Sequence, residues 1–178
     1  MKSTLIVNLF GSPGTGKSTM AGGIFNMLKT ADYNVEYVQE FAKTLTWEKN
    51  HVALSNQFYV SGVQNYTQNM LLGQVQAVIT DSPTLLGLLY YREPNVKINT
   101  LFYKFMVETF KAQNNINFFL NRKKKYNPSG RNQTEEESDK IAENMLSLLR
   151  VNKIPFDMVD GNDAGKQIIY DKVIERLK

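Results

Sequence analysis

The run Gly11-Ser12-Pro13-Gly14-Thr15-Gly16-Lys17-Ser18-Thr19 gathers residue types that handle phosphate. Its first eight residues fit the pattern G-x-x-x-x-G-K-[ST]. Glycines let a backbone fold close around an anion, so that successive N–H groups turn inward. A helix that follows adds the positive end of its dipole. In that setting Lys17 reaches the β- and γ-phosphates of ATP, and the Ser18 hydroxyl binds Mg2+. Asp81, in AVITDSP, is a second candidate. A carboxylate at the end of a strand beside such a loop can hold Mg2+ through water or together with Ser18. Its plainer role is to cap the next turn.

A phosphoryl acceptor needs its own groups. Glu40, in VQEFAK, closes a strand that faces the same edge. It could accept a hydrogen bond from an acceptor hydroxyl or act as its base. Lys43 stands three residues on, placed to meet an anionic substrate or to sit in solvent. Gln64, on a helix rich in amides, is the candidate for reading a base. Buried amides must bond to something, although a solvated helix face would carry the same residues. The segment from about 122 to 133 holds Arg122, Lys123, Lys124, Lys125 and Arg131, with Gly130 for flexibility. A basic lid closing over phosphates would sit there. A solvated basic loop or a nucleic-acid patch is the alternative.

These positions need a scaffold. Short apolar runs predict strands at Thr4–Leu9, Val35–Gln39, Ala77–Thr80, Ile116–Leu120 and Phe156–Val159. Helical spacing of apolar residues predicts helices from Lys17 to about Lys29, from about Val52 to Gln74, and from Ile98 to Ala112. Another follows Thr134, which has the capping-box spacing with Glu137, and a last helix ends the chain. Alternation of strands and helices implies parallel βαβ units and a three-layer α/β fold with a five-stranded parallel sheet. Residues 1–178 read as one domain with a short basic lid.

Composition narrows the classes. The chain has 178 residues, a net charge of +4 and no cysteine. Disulfides and thiolate metal sites are therefore excluded. A lone histidine, His51, argues against a histidine-rich metal site. No run approaches the roughly 18 apolar residues of a membrane helix. The start, MKSTLIVNLF, reads as a buried strand and not as a signal peptide. The expectation is a cytoplasmic protein, in the host cytoplasm if phage-encoded. The mild basicity suits an anionic ligand without demanding nucleic acid. A GTPase would show Asp-x-x-Gly after its third strand, but Ser82, Pro83 and Thr84 follow Asp81. That leaves a kinase, or an ATPase that hydrolyses without a small acceptor.

The ordered set GSPGTGKST, EFAK (40–43), ITDSP (79–83), FFLNR (118–122) and YNPSGRNQTEEES (126–138) resembles a family. It is that of small P-loop kinases which includes the ribosylnicotinamide kinase domain of NadR proteins. The likeness covers nearly the whole chain and is closest to stand-alone, phage-encoded AAA or ATP-binding members. It implies an ATP- and Mg2+-dependent kinase of a nucleoside or nucleotide-like acceptor. Lys17 and Ser18 would serve phosphate and metal, Asp81 the metal side, Glu40 the acceptor, and Arg122 and Arg131 the lid. Two positions depart from the pattern. Lys43 replaces an arginine, and Ser82 and Pro83 stand where a second acidic residue is usual. Some related phage kinases act on hydroxymethylated pyrimidines in DNA, an acceptor the lysine-rich lid would allow.

Overall fold

The structure is a computed structural model that describes residues 3–92, 94–123 and 134–178. Five strands form one parallel sheet: β1 (Leu5–Phe10), β2 (Val35–Val38), β3 (Ala77–Thr80), β4 (Asn115–Asn121) and β5 (Asp157–Asp160), in the order β2-β3-β1-β4-β5. β1 lies at the centre, and all six of its residues are buried. That is why it reads as an unbroken apolar run rather than an alternating one. The exception is Asn8, whose Nδ2 donates to the side-chain oxygens of Asn115 at 2.8 Å and Asn117 at 3.0 Å. Asn117 in turn donates to the Pro155 carbonyl at 2.9 Å. These side-chain bonds run between β1 and β4 and accompany the register that pairs Asn8 with Asn117.

The helices are α1 (Lys17–Thr30), α2 (Phe41–Trp47), α3 (His51–Ser55), α4 (Gln57–Asn69), α5 (Gly87–Tyr90), α6 (Val96–Lys111), α7 (Glu135–Val151) and α8 (Asp163–Leu177). On one face of the sheet, Met20, Ile24 and Leu28 of α1 and Ile169 and Val173 of α8 pack on Leu5, Val7, Ile79 and Phe118. On the other, Val107 and Phe110 of α6 and Met145 and Leu149 of α7 pack on Phe10 and Phe119. The three layers expected from the alternating elements are present. The β1, β3 and β4 segments lie within a residue or two of expectation.

The helical run expected from about 52 to 74 is divided. Asn50 and Asn56 each turn a side-chain oxygen back on the chain, accepting from the N–H groups of Ala53 and Tyr59, both at 3.1 Å. Asn56 has φ −82° and ψ 83°, outside the helical region, so α3 stops and α4 starts afresh. α4 itself ends at Asn69, with Met70 as its C-cap, and Gly73, with φ +79°, lies in the turn beyond. Apolar spacing carried across these asparagines hid both breaks, and α2, between β2 and α3, was not expected. Thr134 and Glu137 form the capping box that opens α7, with bonds of 3.2 and 2.7 Å. Among the described residues no helix is long and apolar enough to cross a membrane.

Two helical glycines give a paired test of this packing. A Cβ on Gly165 would collide with the Asp160 carbonyl, whereas one on Gly22 would meet nothing within 4 Å. Gly165→Ala should destabilise the fold by about 1–3 kcal/mol through overpacking. Gly22→Ala should stabilise it by up to about 1 kcal/mol through helix propensity. Urea unfolding of the two variants checks both signs, and equal effects would contradict the α8–β5 contact.

Candidate active site

The phosphate loop leaves β1 at Gly11 and enters α1 at Lys17. Gly11, Gly14 and Gly16 adopt φ values of 145°, 87° and 90°, which side-chain-bearing residues rarely take. Thr15 folds its hydroxyl onto the Ser12 carbonyl at 2.9 Å and so closes the turn. The first turn of α1 has no acidic residue and no side-chain cap, so its N–H groups remain directed toward an anion. Lys17 spans the loop, donating to the Gly11 carbonyl at 2.7 Å and the Ser12 carbonyl at 3.1 Å. Gly161, in the β5–α8 turn, backs the loop; a Cβ there would lie 2.7 Å from the Thr15 carbonyl oxygen.

Strand order brings Asp81 to this loop, because β3 lies directly beside β1. Asp81 is 3% exposed, and its Oδ1 is buried with no hydrogen-bond partner. A buried carboxylate oxygen left so is costly and has the form of a ligand waiting for a cation. Tyr37, in the middle of β2, was not singled out from the sequence. Its hydroxyl interacts with both Asp81 and Ser18. Burial, then the Asp81 charge, push its pKa well above the ordinary range. Asp81 and Ser18, with Tyr37 between them, fit Mg2+: two oxygen ligands, the rest left to water and phosphate. Among the described residues no cluster of three or more acidic or histidine side chains could hold a metal alone, so phosphate oxygens would have to complete the shell.

Glu40 is the first residue before α2 and reaches the same space from the β2 edge. Burial pushes its carboxyl above the usual carboxylate range; Lys17 and Lys43 pull it back and Asp81 adds to the rise. Tyr90 stands on α5 across from it. Burial first, and then the Glu40 charge, push the Tyr90 hydroxyl up to about 12.

One cleft of about 810 Å³ connects these groups. At one end are Gly11, Pro13, Gly14 and Gly16 to Thr19; at the other are α2, α3, α4 and α5, including Lys43, Trp47, His51, Gln64 and Tyr90. Lys43 therefore lies in the cleft wall. Gln64 is buried, its oxygen taking the Phe41 N–H at 3.0 Å while its Nε2 has no partner. It ties α4 to the residue after Glu40, a structural duty that amide content alone did not reveal. Several neighbouring amides have partners within the chain: Asn56 caps α4, Gln57 donates to the Leu54 carbonyl at 2.8 Å, and Gln68 and Asn69 bond Gln113.

Arg122 sits at the foot of the expected lid, with Glu135 at 3.1 Å and Asp139 at 2.7 Å. The next residue, Lys123, pairs with Asp160 at 3.3 Å. Residues 124–133, Arg131 among them, lie outside the described residues. Beyond them α7 returns to the loop. Fully buried Ser138 donates to the Pro13 carbonyl at 2.8 Å, and the Gly11 N–H meets the Met145 sulfur at 3.3 Å. Ser138 carries no motif signal, since its partner is distant in sequence.

Comparison with known proteins bears on the family and the fold. A family model described as an AAA domain matches residues 6–164, and the chain belongs to that family. No curated protein sequence matches it. Among solved structures, deoxyadenosine kinase from M. mycoides with the products dCMP and a flexible dCDP aligns over 97% of this chain and 98% of that one, at 16% identity and a TM-score of 0.60. The same enzyme with dATP aligns over 95% and 98%, again at 16% identity and a TM-score of 0.60. A shikimate kinase from Bacteroides thetaiotaomicron aligns over 98% of each chain at 12% identity, with a TM-score of 0.48. The fold is that of a P-loop nucleoside kinase.

The raised Glu40 pKa makes a stability prediction with a definite sign. A carboxyl that holds its proton more tightly in the folded chain contributes stability at low pH, and loses it as pH rises past the ordinary value toward the folded one. Ionised Glu40 therefore destabilises the fold near neutrality. Glu40→Gln should melt above wild type at neutral pH, and the gap should close below about pH 4, under the ordinary glutamate pKa. A melting difference that does not change with pH would refute the burial of this charge.

Proposed function

We propose that this AAA-domain chain is an ATP- and magnesium-dependent kinase that transfers the γ-phosphate to a hydroxyl of a nucleoside or nucleotide-like acceptor. The observation that carries this reading is the continuity of the cleft. A phosphate loop opens one end, a carboxylate with a raised pKa stands at the junction, and a chamber of amide, aromatic and apolar side chains extends from it. An NTPase acting only as a switch has no use for such a chamber. The likeness in fold to deoxyadenosine kinase supports the acceptor class.

In the proposed reaction the loop N–H groups and Lys17 hold the triphosphate and offset charge as the γ-phosphoryl group separates. Ser18 and Asp81 would hold Mg2+, which when bound neutralises phosphate charge. The acceptor oxygen bonds to the γ-phosphorus, the bond from that phosphorus to the bridging oxygen breaks, and ADP departs. Glu40 orients the acceptor hydroxyl and takes its proton. Lys43 would meet an anionic part of the acceptor, and the Gln64 wall its base. Arg122, with Arg131, would belong to a lid, which requires Arg122 to leave Glu135 and Asp139.

A second reading replaces the small acceptor by a hydroxymethylated pyrimidine within DNA. The feature that favours it is Trp47, which lines the cleft yet is 70% exposed. An aromatic ring at a cleft mouth is a stacking platform for a base.

ADP release from Mg·ATP should rise with one member of a panel of nucleosides, nucleotides and modified DNA, with label appearing on that acceptor. Steady hydrolysis indifferent to the panel would favour an ATPase instead. Lys17→Ala should abolish turnover. Glu40→Gln should cut transfer by about 10²–10⁴ while nucleotide binding survives. With wild type, kcat/KM should fall as pH drops through the raised Glu40 pKa, and Glu40→Gln should lose that limb. Equal loss of binding and transfer would make Glu40 structural.

A further inference from the structure

The charges lining the cleft are unequal. Among the described residues of its walls Glu40 is the only carboxylate, whereas Lys17, Lys43 and Arg92 are cations. Between Lys49 and Arg92 the only formally charged residue is Asp81, which is buried. The walls built by α3, α4 and α5 therefore add no negative charge. Lys17 is turned to the phosphate loop. Two cations remain, Lys43 on α2 and Arg92 just past α5. Neither has a carboxylate within ion-pair distance among the described residues. A cleft with one sign of charge in excess concentrates an anion, and an uncharged nucleoside has no use for it.

Arg92 is fixed in advance. Its Nη1 donates to the Leu89 carbonyl at 2.9 Å and to the Tyr91 carbonyl at 2.8 Å. The guanidinium is thereby held at the end of α5, while its Nη2 and Nε donors have no partner among the described residues. A guanidinium presents a flat fork of donors matched to phosphate oxygens, and holding it beforehand lowers the entropy lost on binding. Spatial order then decides what sits where. Glu40 feels Lys17 and Asp81, so it stands at the phosphate-loop end of the acceptor chamber. Lys43 is about one turn farther along α2. Arg92 lies two residues past Tyr90, whose hydroxyl feels the Glu40 charge from across the cleft. A phosphate set beside Glu40 would meet a like charge, whereas one set beyond it would meet two cations.

We propose that Lys43 and Arg92 form a second phosphate site, which holds a phosphate group that the acceptor already carries while the acceptor hydroxyl faces Glu40. The transfer step rests on the kinase reading above; the binding site does not. In that step the hydroxyl gives its proton to Glu40 and its oxygen bonds to the γ-phosphorus. The bond from that phosphorus to the bridging oxygen breaks, and ADP leaves. The new phosphate is therefore on a different atom from the old one, and the product is not a diphosphate. Both cations are exposed, so the site lies at the open end of the cleft. A mononucleotide can present its phosphate there, and so can a nucleotide within a strand.

Transfer from Mg·ATP to matched acceptors tests it: nucleosides, their 3′- and 5′-monophosphates, and single-stranded oligonucleotides of the same bases. A phosphate-bearing form should exceed its nucleoside in kcat/KM by about 10- to 100-fold. Whether that form is the mononucleotide or the strand names the source of the group. Phosphorus NMR of a mononucleotide product should show two separate phosphates. Arg92→Ala and Lys43→Ala should each remove most of the preference, chiefly through KM, and Arg92→Lys should keep part of it. Nucleosides used as well as their phosphorylated forms overturn the site. So does a diphosphate product, or a preference that neither substitution changes. If no acceptor gains phosphate, the kinase reading falls and binding decides the site. With the loop filled by Mg·ADP, mononucleotides should change the emission of Trp47, the single tryptophan and a cleft residue, at lower concentration than nucleosides do. Arg92→Glu should abolish that difference, and equal titrations with wild type overturn the proposal.

Discussion

Two carboxylates and one lysine meet at the mouth of the phosphate loop, and the rest of the site follows from keeping them there. Asp81 is buried with an oxygen unpartnered, and Glu40 is held above the usual carboxylate range. Lys17 draws Glu40 down but is itself engaged with the Gly11 and Ser12 carbonyls. Asp81 and Lys17 act on Glu40 in opposite senses. They stay in place because each is anchored to a different strand end: Lys17 past β1, Glu40 past β2 and Asp81 past β3. A parallel sheet directs all three ends the same way, so the topology gathers the cluster at one edge. A cation beside Asp81 would offset negative charge in that cluster.

The helix after the lid is bound into the same arrangement. Ser138 and Met145 lie seven residues apart on one face of α7 and touch the phosphate loop at Pro13 and Gly11. Arg122 holds the first turns of α7 through Glu135 and Asp139. Both ends of the segment expected to close over phosphates are therefore fastened to groups that would sense them. Movement of the loop backbone on binding would be felt by Ser138, and any recruitment of Arg122 by phosphate would compete with its two carboxylates.

Legibility in the sequence followed contiguity. The loop from Gly11 to Thr19 could be read because its motif and its backbone geometry coincide in one short run. Asp81 and Glu40 could be read because strand ends are visible and a parallel sheet aligns them. Tyr37 could not: it lies mid-strand, and its approach to Asp81 depends on the β2–β3 register that sets it beside Ile79. Ser138 was invisible for the same reason. The division of the 52–74 run was written in Asn50 and Asn56, but apolar periodicity outweighed two asparagines whose capping depends on local backbone. Gln64 was noticed for its chemistry and then found to be fastening Phe41, a contact between elements that spacing along the chain does not encode.

α4 joins these themes, because its two faces answer to different demands. Its inner face supplies Val60, Ser61, Gln64 and Gln68, all buried, and through Gln64 it steadies the start of α2 beside Glu40. Its outer face has no charge to keep it in water and a glycine that weakens it. A helix of thirteen residues that includes Val60, Gly62 and Val63 is marginal alone, so its position rests on the packing of that buried inner face against the rest of the chain.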